Sequence, residues 1–173
     1  MEQGSLIILK FGQEILKKKA RAVTNIDERL VTLARQMVTT MHRAPGVGLA
    51  APQIGEPLQL ATVDVSSGQV ESELMVLINP RIIESDDLPA TDDEGCLSFP
   101  GYSLPIPRSP RIVLSALDLE GKEFTQEFRD FKARVIQHEI DHLNGTLIID
   151  HISNLKRALI KKEIKRLAKS GKW

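Results

Sequence analysis

An α+β fold is predicted, with short antiparallel strands and sheets wrapped around a central helix that carries two histidines. Three observations predict it. Apolar residues recur at one-face helical spacing in three separated stretches, the segments between them read as short strands bounded by Gly, Pro, Asn and Ser, and those strands come in neighbouring pairs joined by turn sequences. At 173 residues, 42% hydrophobic and 27% charged, the chain suits one domain over residues 1–173 with a sizeable core.

Leu6 to Leu9 reads as a short strand or an extended arm, and the lysine-rich stretch from Ile15 to Ala20 takes no assignment. Asn25 and Asp27 offer N-cap oxygens to a helix whose apolar residues, Leu30, Leu33, Ala34, Met37 and Met41, share one face as far as about His42. His42 suits the negative C-terminal pole of that helix better than a ligand role. From Ala44 to Gly55 the chain reads as a loop, because Pro45, Gly46 and Gly48 break the helix and the small residues let another chain approach the backbone. Gly46-Val47-Gly48 is no dinucleotide fingerprint, since the third glycine and a βαβ pattern are both missing.

Leu58 to Val65 and Leu74 to Ile83 read as strands joined through Ser66-Ser67-Gly68, with Asn79-Pro80 marking a bulge or an edge in the second. Glu84 to Glu94 is acidic and reads as irregular. Gly95 to Gly101 is a glycine-bounded turn holding Cys96, and Pro105, Pro107 and Pro110 continue as extended chain. Arg111 to Leu119 and Lys122 to Phe128, joined at Glu120-Gly121, make a hairpin. A helix runs from about Asp130, whose side chain suits an N-cap, to Leu143, where Asn144-Gly145 stops it. The last helix, Ser153 to about Lys169, has an apolar face of Leu155, Ala158, Leu159, Ile164 and Leu167.

Composition excludes several classes. No run of 18 apolar residues exists, and Met1 to Ser5 puts no basic region ahead of Leu6-Ile7-Ile8-Leu9, so neither a membrane span nor a secretory signal is read and the expected compartment is the cytoplasm. Cys96 is the only cysteine, which agrees with a reducing compartment. Lys+Arg and Asp+Glu balance at 23 each, but residues 154–173 hold eight Lys/Arg against the single acid Glu163. That basic end suits either an electrostatic contact for an acidic partner such as nucleic acid or a solvated helix face.

The strongest chemical signal is Gln137-His138-Glu139-Ile140-Asp141-His142. Two histidines four apart project from one helix face, about 40° apart at roughly 100° per residue, so both imidazoles reach one metal ion. Glu139 stands on the flank of that face, where a carboxylate accepts a proton from activated water without being a ligand. The third ligand decides the chemistry. A third histidine after the glycine turn, as in metzincin-type proteases, is excluded because Ile148 stands in its place. Glu163 has a tolerable spacing for a thermolysin-like site but sits among Lys161, Lys162, Lys165 and Arg166, where a surface ion pair is the simpler role. His151 lies between Asp150 and Ile152 with no partner pattern. Cys96 remains: a thiol in an irregular turn beside Glu94 is poorly explained by core packing, and two imidazoles plus one thiolate leave a fourth position for water.

Gly46-Val47-Gly48-Leu49-Ala50-Ala51-Pro52-Gln53, Glu94-Gly95-Cys96-Leu97-Ser98 and Gln137-His138-Glu139-Ile140-Asp141-His142 together resemble the three signature motifs of the peptide deformylase family, in the family's order and spacing. The resemblance covers nearly the whole chain, including the C-terminal helix of the bacterial form. Gly12-Gln13 departs from a Pro-Asp often found near the start, and Asp130 replaces a frequent glycine.

The resemblance implies removal of the formyl group from the N-terminal methionine of newly made proteins, with release of formate. It implies Cys96, His138 and His142 as metal ligands, Glu139 as general base and then general acid, and the Gln53 side-chain amide and Leu97 backbone N–H as oxyanion donors. Its implied cofactor is one divalent metal ion, Fe2+, with Zn2+, Ni2+ or Co2+ able to substitute, although ligand type alone favours zinc. Val135 lies one turn and Phe131 two turns before His138, which with Val47 gives an apolar wall for the methionine side chain. Gly46 to Gly48 then pairs with the extended substrate as an added strand, and Arg134 either meets a substrate carbonyl or is solvated. The implied partners are formyl-methionyl nascent chains and, through the basic last helix, the ribosome, with no membrane. On residues alone a metalloprotease using Glu163 and a non-catalytic metal-binding module stay open.

Overall fold

Strand alternation decides where the first two α-helices go. The computed structural model describes residues 6–70 and 73–173, so Met1–Ser5, on which the leader reading rests, lie outside the described residues. Helix α1 spans Glu28–Arg43, and strands β1 Gly48–Ala50, β2 Leu60–Val63, β3 Met75–Ser85, β4 Ala90–Gly95, β5 Ser103–Arg108, β6 Arg111–Leu117 and β7 Glu123–Arg129 follow before helices α2 Asp130–Leu143 and α3 Asn154–Lys169. Five strands make one antiparallel sheet in the order β1-β2-β3-β6-β7, and β4 and β5 form a separate ribbon. In the sheet, Leu49, Leu60 and Ile78 pack with α1 residues Leu30, Ala34, Met37 and Met41 on one face. Their neighbours Val63 and Leu77 turn to the other face, with Ile112, Leu114 and Phe128, and bury Ala133, Val135 and Ile136 of α2. A fully buried Ile136 replaced by Ala would cost about 2–5 kcal/mol at such a site. This is an α+β arrangement in which short antiparallel strands surround the two-histidine helix. Among the described residues no helix is long and apolar enough to cross a membrane.

A third core lies under the ribbon, where Phe99, Leu104 and Ile106 meet Phe11, Leu16, Leu147, Ile148 and Ile149, with Ile160 and Ile164 of α3. The arm from Leu6 is extended and laces the cores together: Leu9 N–H donates to Gln53 O at 2.7 Å and Phe11 N–H to Ser98 O at 2.8 Å. Asp27 caps α1 by accepting from Leu30 N at 2.9 Å. The Asn79-Pro80 irregularity is a register shift between Ile78 and Arg81 in the β3–β6 pairing.

Several expectations need correction. Residues 44–55 are not all loop, because β1 and a 3-10 turn at Ala51–Ile54 lie within them. The acidic stretch is not irregular, since β3 runs to Ser85 and β4 fills Ala90–Gly95; all its acids but the buried Glu94 face solvent, while backbone pairing, which composition does not report, makes the strand. The α3 face is rotated from the one read: Ile160 and Ile164 are buried, whereas Leu155 and Leu159 are exposed. His42 is held by the Asp64 carboxylate at 2.7 Å, a tertiary partner, and is no mere dipole counterion. Asp130 does not cap α2. It is the helix's first residue, with φ 51°, and the N-cap position is Arg129, whose side chain makes no cap bond.

That left-handed Asp130 stores strain a glycine would not. Asp130→Gly is expected to stabilise the chain by about 0.5–1 kcal/mol and raise the melting temperature by about 1–4 °C in thermal unfolding. A lower melting temperature would mean that the Asp130 side chain contributes more than the strain costs.

Candidate metal centre and active site

α2 follows β7 directly, and its helical repeat turns His138 and His142 to one side, where the end of β4 brings Cys96. Cys96 Sγ lies 3.3 Å from His142 Nε2, and His142 Nε2 lies 3.2 Å from His138 Nε2. All three donor atoms fall within 4.8 Å of one another, and among the described residues no other group of His, Cys, Asp or Glu converges in this way. Metal–nitrogen bonds of about 2.1 Å and metal–sulfur bonds of about 2.3 Å give tetrahedral edges of roughly 3.4–3.6 Å, so the donor set fits one transition-metal ion with a position to spare. Glu163 lies exposed on α3 and His151 is bonded elsewhere, so neither is the third member, and the metalloprotease reading loses its ligand.

Behind the donors stands Glu94, 6% exposed. Its Oε1 accepts from Arg108 Nε at 2.9 Å and Arg134 Nη1 at 2.8 Å; its Oε2 accepts from Arg108 Nη2 at 3.0 Å and faces His138 Nδ1 at 3.0 Å. Burial pushes the Glu94 carboxyl up, but His138 and Arg108 together outweigh it and hold it at about 2. With Nδ1–H donated to Glu94, the His138 lone pair is on Nε2, pointing at the other two donors. Burial opposes a proton on His138, yet Cys96 and Glu94 outweigh it and push the ring's pKa well up, so the local field attracts positive charge.

Glu139 is buried beside this cluster, and its Oε2 has no hydrogen-bond partner among the described residues. Burial pushes its carboxyl up to about 7, and a cation in the neighbouring site would draw it down again. Gly48 makes room for it. β1 is an edge strand, Gly48 and Ala50 face α2, and a Cβ at Gly48 would overlap Oε1 of Glu139 and stand 2.7 Å from its Cδ. The smallness of Gly48 therefore answers to Glu139, whereas the sequence suggested only an approaching second chain. Gln53, 1% exposed, is fixed at both ends: Oε1 accepts from Ala50 N at 2.8 Å, and Nε2 donates to Ser98 Oγ at 3.1 Å with Cys96 Sγ 3.8 Å away.

A cavity of about 390 Å³ opens in front of these groups, lined by Gly46, Val47, Gly48, Gln53, Leu97, Phe131, Arg134 and Val135 with Cys96, His138 and Glu139. Val135 is buried and Phe131 stands half out of the rim. Arg134 is not solvated; beyond Glu94, its guanidinium donates to Ile106 O at 2.8 Å and Ala90 O at 2.7 Å. Reasoning from sequence passed over Ser98, Arg108 and Asp141 and noted Glu94 only as a neighbour of the thiol. One signal was present: Leu104, Ile106 and Arg108 alternate along β5, which puts Arg108 on the inward face.

A family model described as polypeptide deformylase matches residues 5–158. The chain belongs to the peptide deformylase family. A peptide deformylase from Thermodesulfovibrio yellowstonii is 45% identical over 160 residues, 92% of this chain and 96% of that one, and one from Thermotoga maritima is 43% identical over 94% and 96%. Among solved structures, a peptide deformylase from Legionella pneumophila is 40% identical with a TM-score of 0.88, covering 95% of this chain and 98% of that one. Another, from Synechococcus elongatus in complex with actinonin, is 36% identical with a TM-score of 0.82 over 99% and 88%. The enzyme is thus a deformylase, a hydrolase of a formamide bond, and its family is metal-dependent.

If Glu94 holds both the arginines and His138, Glu94→Gln leaves the buried Arg134 without a carboxylate partner and Arg108 with Asp141 alone. The variant is expected to lose about 3 kcal/mol in urea unfolding and to bind metal about 10–100-fold more weakly in competition with a chelator. Unchanged metal affinity would show that Glu94 does not act on the ligand set.

Proposed function

We propose that this enzyme removes the formyl group from the N-terminal formyl-methionine of newly synthesised proteins, using a metal ion held by Cys96, His138 and His142 and Glu139 as the proton carrier. The observation that carries the mechanism is the Glu139 carboxylate, buried beside the three-donor cluster with one oxygen that has no hydrogen-bond partner among the described residues. A divalent ion there, Fe2+ by family resemblance with Zn2+, Ni2+ or Co2+ as substitutes, supplies Lewis acidity that makes water a nucleophile near neutral pH. Glu139 takes the proton of that water and returns it to the departing amine, which leaves as the free N-terminus while the formyl carbon leaves as formate.

The Gln53 amide, turned toward Cys96 and Ser98 by its bond from Ala50, and the Leu97 backbone N–H stabilise the oxyanion, and one such donor is worth roughly 3 kcal/mol. Val47, Val135 and Phe131 receive the unbranched methionine side chain. Gly46 and Val47 lead into β1, the edge strand of the five-stranded sheet, which begins at Gly48, and an extended peptide adds beside this segment as a further strand. Arg134 serves this pocket as a wall, its guanidinium already engaged by Glu94.

The chain works as one catalytic domain in the cytoplasm, ending in a basic helix. Lys161, Lys162 and Lys165 are exposed on α3 near the uncovered Leu159, which suits docking on the ribosome close to emerging chains. Changing the three lysines to Glu is expected to weaken ribosome binding in co-sedimentation far more at low salt than at high salt; an equal loss at both would sink that contact.

The catalytic reading is tested on a formyl-methionyl tripeptide and its unformylated twin, with protein purified without oxygen. Formate without peptide-bond cleavage is expected, and Glu139→Ala should keep its metal while losing about 10²–10⁴ in kcat. Cleavage without formate, or full activity in Glu139→Ala, would contradict it.

A further inference from the structure

We propose that His151 is a positioning residue for the metal centre, acting through Asp141, Arg108 and Glu94 on the orientation of the His138 ring. The inference rests on the metal-centre reading above. His151 closes the 3-10 turn Ile148–His151, outside every motif that pointed to the chemistry. Its Nε2 lies 2.6 Å from Asp141 Oδ2, and that same oxygen accepts from Arg108 Nη1 at 2.6 Å. Arg108 then grips both oxygens of Glu94, and Glu94 Oε2 meets His138 Nδ1. The five groups form an unbroken line from a quarter-exposed histidine to a buried ligand.

Three features make this more than packing. The guanidinium is a rigid fork, so a carboxylate that fixes one prong fixes the plane offered to the other carboxylate. His142 Nδ1 has no partner among the described residues, so the outer support of the cage falls on Glu94 and its line of contacts. The turn itself is held without His151: Asp150 Oδ2 accepts from Leu147 N at 2.9 Å, and Arg157 donates to Ile149 O at 2.8 Å and Asp150 O at 2.9 Å. Glu94 and Asp141 are already charge-matched by Arg108 and Arg134, so what His151 adds is a directed hydrogen bond to Asp141 and not charge balance.

The test titrates metal-free full-length protein with Co2+ alone, following the visible bands that report the ligand field. His151→Ala should weaken Co2+ binding about tenfold and shift the bands. His151→Gln, whose amide nitrogen reaches the same place, should restore both to within about twofold, and Asp150→Ala, which loosens the turn without touching Asp141, should leave affinity unchanged. If the Ala variant fails to fold, His151→Phe keeps the ring volume without the donor and takes its place. Affinity in His151→Ala within twofold of the parent, an equal loss in Asp150→Ala, or no rescue by Gln would each overturn the proposal. Failure of the parent itself to bind one Co2+, or Co2+ binding undiminished by Cys96→Ser, would instead overturn the metal-centre reading and this inference with it.

Discussion

A single buried carboxylate, Glu94, takes four hydrogen-bond donors from three side chains, two on each oxygen. An ionised carboxylate out of water costs several kcal/mol unless its lone pairs are filled, and the same holds for Arg108, 6% exposed, and Arg134, 8% exposed. No member is stable in place without the others. Because Glu94 is on β4, Arg108 on β5 and Arg134 and His138 on α2, satisfying the charges fixes the ribbon against the helix. Cys96, two residues beyond Glu94, is thereby delivered to the histidines.

The five-stranded sheet sets the other boundary. α2 lies across its edge, where Gly48, Ala50 and Ala61 offer little side-chain bulk, and this lets the helix sit close enough for Glu139 to rest against the β1 backbone. Close approach shuts water away from Glu139 and raises its carboxyl, while the front of the same strand edge stays open toward the cavity. One small-residue strand thus both seats the buried Glu139 and borders the cavity with its own backbone. Where α2 stops, Gly145 at φ 75° passes so near Lys17 O that a Cβ would stand 2.6 Å from it, which ties the helix end to the N-terminal segment.

Much of this was legible in the sequence because helical periodicity is local. The spacing from Leu30 to Met41 and from His138 to His142 reports a face directly, and the hairpin of β6 and β7 announces itself through Glu120-Gly121. The elements that were misread depend on distant partners. β4 looks irregular because most of its side chains face water and only pairing with β5 makes it a strand. The α3 face could not be chosen between Leu159 and Ile160 without knowing where the third core lies. Asp141 showed no role because its partner Arg108 is 33 positions away, and His151 showed no partner because it reaches the site only through Asp141. The three donors were visible as motifs; the charges that aim them were not.

The central claim is that folding brings one thiolate and two imidazoles to a single metal ion. X-ray absorption at the metal edge of anaerobically purified protein tests it most directly. The account predicts one sulfur at about 2.3 Å and two imidazole nitrogens at about 2.1 Å, with a further light-atom ligand. A shell of oxygen and nitrogen alone, with no sulfur, would contradict it.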